Sequence, residues 1–155
     1  MADSSHSPPA PQSHLDWLNG WIAGTQPNPP VTTLIGMYGI SAEAGKITLQ
    51  MQAGPQHANP MGTLHGGILC DLADAAMGMA FISTLPPDES FTTLELKINF
   101  LRPVWNDLLI AHGRVIKGGR TIGLIECEVL TETGDLVAHA TSTCMVLRGE
   151  KAKGR

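Results

Sequence analysis

One stretch of the chain, from Asn59 to Asp74, combines residue types that could do chemistry on a carbonyl group. His65-Gly66-Gly67 reads as the start of a helix, where the first N–H groups have no partner within the helix and the dipole favours negative charge. Glycines there let a ligand approach the backbone closely, so these amides could hold a carbonyl oxygen that gains charge during reaction. Glycines near a helix start also serve packing alone, and both readings stand at this point. Asp71 and Asp74 follow in the same apolar run. Three positions apart on a helix, they lie about 60° apart on one face. Apolar surroundings disfavour an ionised carboxyl and raise its pKa, which moves it toward use as a general base near neutral pH. Of the two, Asp71 is expected to reach solvent or cap a neighbouring loop. His65 has two readings, a general base or a side chain that holds the loop by hydrogen bonding. His57 beside His65 hints at a metal only weakly, because the loop supplies no third ligand; no metal is expected.

The elements that must position these residues are read from periodicity. Residues 65 to about 84 form the one long helix expected: rich in Ala, Leu and Met, closed by Pro86-Pro87, apolar nearly all round and therefore read as buried. Ahead of it, Leu15, Leu18, Trp21 and Ile22 mark a short amphipathic helix, and Pro27, Pro29 and Pro30 end anything helical. Residues 31–40 read as a strand and 41–46 as a turn with Gly45 as its flexible residue. A second strand follows, with Ile47, Leu49 and Met51 alternating with polar neighbours. Beyond the helix, Leu94, Leu96, Ile98 and Phe100 alternate with Thr93, Glu95, Lys97 and Asn99, a clean period of two. Strands over 108–117 and 121–131 meet at the Gly118-Gly119 turn, and a last strand covers 136–147. Hairpin links imply an antiparallel sheet, and one long helix against one curved sheet is an α+β architecture. Residues 1–13 read as a disordered tail, 14–148 as a single domain and 149–155 as a flexible basic tail.

Composition narrows the function classes. The chain has 155 residues, enough for one domain that needs neither disulfide nor structural metal. Charged residues make up only 15% against 43% hydrophobic, so some apolar surface is expected to meet another subunit. A formal net charge of -4 argues against a nucleic-acid partner. Cys70, Cys127 and Cys144 form no CxxC pair and read as buried free thiols in a reducing cytoplasm. Neither a signal peptide nor a membrane span is read: residues 1–14 lack a basic start and apolar stretch, and Asp71 and Asp74 interrupt the longest apolar run. No Walker or dinucleotide glycine loop is present, since Gly66-Gly67 lacks the spacing.

Asn59, Gly62-Thr63-Leu64-His65-Gly66-Gly67 and Leu72-Ala73-Asp74, with Lys97-Ile98-Asn99-Phe100-Leu101-Arg102-Pro103-Val104 farther on, resemble the hotdog-fold acyl-CoA thioesterases of the phenylacetate-degradation (PaaI-like) type. The resemblance spans roughly residues 34–147. It implies a curved antiparallel sheet wrapped on one long central helix, and hydrolysis of acyl-CoA to CoA and a free acid, aromatic such as phenylacetic or medium-chain, with no cofactor. It gives Asp74 the role of nucleophile or general base, Gly66 N–H that of polarising the thioester carbonyl, and Asn59 that of placing thioester or water. Thr93, with Thr92 as its alternative, matches an assisting hydroxyl. Some relatives carry Glu in place of Asp74, which leaves nucleophile and base both open.

Helix geometry adds a constraint. Nine residues turn through about 900° and advance roughly 13–14 Å, so Asp74 points away from His65. One helix cannot aim the Gly66 N–H and the Asp74 carboxylate at one carbonyl, whereas two antiparallel copies can. A homodimer with two composite sites is therefore expected, with a dimer of dimers beyond it. The acyl group would enter a tunnel between subunits, lined in part by Met77, Met79, Phe81 or residues near the N-terminal helix, although the methionines equally suit plain core. Lys117 and Arg120 flank the Gly118-Gly119 turn and could clamp the CoA phosphates, or be ordinary solvated charges; Arg102 and Arg148 are weaker candidates. The rival readings are an acyl-thioester hydratase or dehydratase using His65 with Asp74, and a non-catalytic acyl-CoA-binding protein. Related repressors of the second kind carry a DNA-binding segment, for which the Pro-rich tail is too short and insufficiently basic.

Overall fold

The computed structural model describes residues 13–154. The expected tail over 1–13 lies outside the described residues except for Ser13, which caps α1 (His14–Ile22) by accepting from the Asp16 N–H at 3.1 Å. Leu18 and Trp21 bury one side of α1, while Leu15 is only half-buried.

The segment 31–40 is two elements rather than one strand. Pro30 starts a helix, since at the first helical position its missing N–H and fixed φ are no handicap. α2 (Pro30–Ile35) ends at Gly36, whose φ of 79° is the left-handed conformation that L side chains avoid. β1 (Met37–Glu43) then runs through the first half of the expected turn, and Gly45, also at φ 79°, hands it to β2 (Lys46–Gln52). The remaining elements are α3 (Gly66–Ile82), β3 (Ser90–Phe100), β4 (Leu108–Gly118), β5 (Ile122–Thr131) and β6 (Leu136–Leu147).

The six strands form one antiparallel sheet in the order β1-β2-β4-β5-β6-β3, and α3 packs against every one of them. This is the hotdog arrangement, α+β, with the sheet wrapped on a central helix. Hairpins link β1–β2, β4–β5 and β5–β6, but β3 does not pair with β4: it crosses to the far edge and lies beside β6. Leu69, Leu72, Ala73, Ala76, Met77 and Ala80 of α3 are buried. The helix is not buried all round, however. Gly67, Asp71 and Asp74, at i, i+4 and i+7, form an exposed stripe along it.

Cys127 and Cys144 are buried free thiols, and burial pushes the Cys127 thiol up to about 12. Cys70, expected to be buried as well, is only half-buried because it borders the open stripe of α3. The expected flexible tail carries a 3-10 turn over Gly149–Ala152, and Arg148 ahead of it grips Glu89, with Nε 2.5 Å from Oε1 and Nη2 3.1 Å from Oε2. Among the described residues no helix is long and apolar enough to cross a membrane.

The closest backbone approach of helix to sheet is at Gly113 on β4, where a Cβ would sit 2.5 Å from the Ala76 carbonyl oxygen. Gly113→Ala therefore forces α3 off the sheet and should lower stability by about 1–3 kcal/mol, read from the urea midpoint.

Candidate active site

Asp74 stands mid-way along α3 on its open stripe, and β3 brings a hydroxyl to it: Thr93 Oγ1 donates to Asp74 Oδ1 at 3.2 Å. The clean period of two expected for β3 would turn Thr93 away from the helix, to the face of Glu95, Lys97 and Asn99. A β-bulge at Leu94 prevents this. Thr93 is opposite Cys144 and Glu95 opposite Thr143, so Leu94 has no partner of its own and the alternation changes phase. Phe91 and Thr93 thus share the inner face with Leu96 and Ile98. Thr92, opposite Met145, points outward.

Behind Thr93 lies a directed chain of polar groups. With its proton given to Asp74, Thr93 can only accept from the Cys144 thiol at 3.9 Å, and Sγ in turn accepts from Ser142 Oγ at 3.6 Å. Burial keeps the Cys144 thiol protonated, as this chain requires. The Asp74 carboxyl is itself raised above its ordinary value. Desolvation by its apolar neighbours is the main cause, the Thr93 hydroxyl opposes it, and the charge of Asp71 adds to it. Asp71 is exposed, as expected of it, yet lines the same cleft.

At the start of α3 the loop is braced from several sides. Asn59 Nδ2 donates to Thr63 Oγ1 at 2.8 Å and its Oδ1 accepts from the Met61 N–H at 2.9 Å. Ala58 and Leu64 form a bridge, and the His65 N–H donates to the His57 carbonyl at 2.9 Å. His65 is the N-cap of α3: its Nδ1 accepts from the Gly67 N–H at 2.9 Å, which fixes the neutral ring's proton on Nε2. No acceptor among the described residues takes the Gly66 N–H. Of the first amides of the helix, this one is available to a ligand.

Asp74 and Gly66 open into different clefts of the chain. Asp74 lines a cleft of about 530 Å³ whose walls include Trp17, Leu18, Met79, Ile82 and Phe91. Gly66 lines another of about 440 Å³, beside Leu69, Phe100 and Val104. Of the expected acyl-contacting residues, Met79 faces the first cleft, whereas Met77 and Phe81 are core. Arg102 lines the second cleft and pairs with Asp135 at 3.0 Å. Lys117 and Arg120 are exposed at the β4–β5 turn and line neither cleft. Among the described residues no group of three His, Cys, Asp or Glu is placed to hold a metal. The sequence reading missed Ser142 and Cys144, although their alternation on β6 puts both on the inner face. Residues near the N-terminal helix were expected at the acyl group without being singled out, and the structure supplies His14, Trp17 and Leu18 there.

The family model described as the thioesterase superfamily matches residues 61–138, half of the chain, including Gly66, Asp74 and Thr93. The chain belongs to the thioesterase superfamily. Human acyl-coenzyme A thioesterase 13 is 31% identical over 108 residues, covering 67% of this chain and 75% of that protein. The 1,4-dihydroxy-2-naphthoyl-CoA hydrolase of Listeria monocytogenes is 29% identical over 117 residues, 76% of this chain and 95% of that one. Among solved structures, a phenylacetic acid degradation-related protein from Ralstonia eutropha superposes with a TM-score of 0.76 at 31% identity, covering 83% of this thioesterase and 98% of that chain. The PaaI protein of the Escherichia coli phenylacetic acid degradation operon does so with a TM-score of 0.77 at 25% identity, over 88% and 98%.

Two outcomes follow from the Asp74 environment. Thr93→Ala removes the group that favours ionised Asp74, so the acid limb of the kcat/KM profile should move to higher pH, while Thr93→Ser keeps it in place. Because the folded state raises this carboxyl, its contribution to stability is complete below the ordinary carboxylate range and is lost as pH rises through the raised value. At pH 7 the ionised group is therefore a net cost, and Asp74→Asn should melt at a higher temperature than wild type while losing turnover.

Proposed function

We propose that this thioesterase hydrolyses acyl-CoA to CoA and a free carboxylic acid at a site shared by two copies of the chain, with Asp74 from one protomer and the Gly66 N–H from its partner. The observation that carries the reading is the Asp74 carboxyl, held by Thr93 and raised by apolar surroundings, at the mouth of an apolar cleft. Cleft size and lining fit a small organic group. The separation of Asp74 and Gly66 into different clefts supports a shared site. So does the open stripe of α3, together with β3 as an edge strand that exposes Leu94 and Phe100. A partner laid antiparallel along this face would cover the stripe and the edge at once.

In the proposed reaction the thioester oxygen accepts from the Gly66 N–H. Asp74 takes a proton from water, whose oxygen attacks the carbonyl carbon, and the amide stabilises the resulting oxyanion. Collapse breaks the C–S bond, and the leaving thiolate takes the proton from Asp74. The second N–H of the Asn59 amide, the one not used by Thr63, is free to orient that water. Attack by Asp74 itself would form an anhydride at the same carbon and remains the alternative route. Lys117 and Arg120 are the proposed contacts for the CoA phosphates. Exposed Ile122 and Leu124 on the outer face of the sheet support pairing of dimers. Aromatic acyl groups are favoured by the walls of Trp17 and Phe91 and by the aryl substrate in the name of the Listeria relative. Three unpaired thiols suit a reducing compartment such as the cytoplasm. The hydratase reading is disfavoured because Nδ1 of His65 is taken up by the Gly67 N–H.

A thiol-release assay on phenylacetyl-CoA and octanoyl-CoA tests the reading. Asp74→Ala should lower kcat by about 10²–10⁴-fold with the fold intact. Gly66→Pro deletes the amide at a helix position that accepts proline, and should also be inactive. Unfolding and refolding the two variants together should restore about a quarter of wild-type activity, through mixed dimers with one intact site. A site contained within one chain would give no recovery.

A further inference from the structure

We propose that His14 is the partition that sets how long an acyl group this enzyme accepts, an inference that rests on Asp74 as the reacting carboxylate. His14 lines the cleft that holds Asp74, and it also lines a separate groove of about 410 Å³ formed with Pro87, Glu89, Gly149 and Lys153. Among the described residues His14 is the one that lines both spaces, which puts it between them.

The partition is held in place from both sides. Nε2 lies 3.1 Å from the Pro86 carbonyl oxygen and 2.9 Å from that of Glu89, and since carbonyls only accept, Nε2 carries the proton. Glu89 is fixed in turn by Arg148 through both carboxylate oxygens. On the other side, His14 is the first residue of α1, whose start is capped by Ser13.

Its position along the cleft follows from two independent counts. Asp74, Gly78 and Ile82 lie on one face of α3, and eight residues of helix advance about 12 Å. Glu89, just ahead of β3, precedes Thr93 by four residues, about 13 Å of extended chain. Both routes place the Glu89 carbonyl, and the imidazole bonded to it, at the end of the cleft away from Asp74. An acyl group whose carbonyl sits beside Asp74 and whose tail runs along α3 meets His14 last. A phenylacetyl group ends before reaching it, and a long saturated chain does not. Removing the ring joins cleft and groove into one channel that a long chain can follow to the surface.

The test measures kcat/KM for phenylacetyl-, octanoyl- and palmitoyl-CoA with wild type, His14→Ala and His14→Asn. His14→Asn keeps a polar donor favoured at helix starts and reads out if the alanine variant folds poorly. The palmitoyl-to-octanoyl ratio should rise by about tenfold or more in His14→Ala and by less in His14→Asn, with phenylacetyl-CoA turnover within about twofold of wild type. A ratio unchanged in the folded variants overturns the partition, provided that Asp74→Ala is inactive. Turnover retained in Asp74→Ala overturns the placement of the reaction at Asp74, and the partition with it.

Discussion

Asp74 stands on the open stripe of a helix that otherwise packs apolar side chains, and the sheet brings it one polar partner, the Thr93 hydroxyl at 3.2 Å. Much of the fold around the site exists so that this contact can form. β3 has to lie along α3 rather than next to β4, and its crossing to the far edge achieves that. Its inner face must also present a hydroxyl among residues whose alternation is set by burying Leu96 and Ile98. One extra residue, Leu94, makes both conditions hold by changing the phase of the strand. The same change turns Phe91 inward, over Gly78, where a Cβ would lie 2.8 Å from the ring. The glycine on the helix and the bulge on the strand are thus two halves of one arrangement, and Phe91 becomes a wall of the cleft because of it.

The start of α3 obeys a different constraint, the allocation of amides. A helix start offers several unpartnered N–H groups, and a ligand site needs the neighbours of the useful one satisfied by the protein. Here the His65 ring takes the Gly67 N–H and the His57 carbonyl takes the His65 N–H, while Asn59 and the Ala58–Leu64 bridge hold the loop against rearrangement. The amide left over, that of Gly66, is fixed in direction by these contacts, as its proposed role as a donor toward a developing charge requires.

The long helix, the unpartnered amide at its start and the raised carboxyl of Asp74 were legible in the sequence because each depends on short-range chemistry: helix propensity, helix ends, a charge in an apolar run. The hairpins at Gly45 and Gly118-Gly119 were legible for the same reason. What escaped depended on long-range partners. Residues 31–40 carry a strand-like composition, but Pro30 at the first helical position and Gly36 at the end give the first half to α2. The placement of β3 beside β6 cannot be seen in β3 alone, because either edge would bury Leu96 and Ile98 equally well. The bulge is hidden for a related reason. The sequence from Thr93 to Phe100 alternates without fault, and only the register against Cys144 and Thr143 shows that one residue is skipped. The role of His14 at the edge of the domain was hidden because its partners, the Pro86 and Glu89 carbonyls, lie 72 and 75 residues away.

The open stripe of α3 links the tuning of the base to assembly. In the single chain Asp74 reaches solvent, and its raised pKa reflects apolar neighbours on one side only. A second helix laid across Gly67, Asp71 and Asp74 would remove water from the other side and move the carboxyl further in the same direction. It would also bring Asp71 of each copy into a drier environment, where its charge acts more strongly on Asp74. The Thr93 hydroxyl, backed by Cys144 and Ser142, would then oppose a larger upward push than it does in the lone chain. Under the proposed shared site, the closure that supplies the partner's amide would also raise the basicity of the Asp74 carboxylate, so an unassembled chain would lack both.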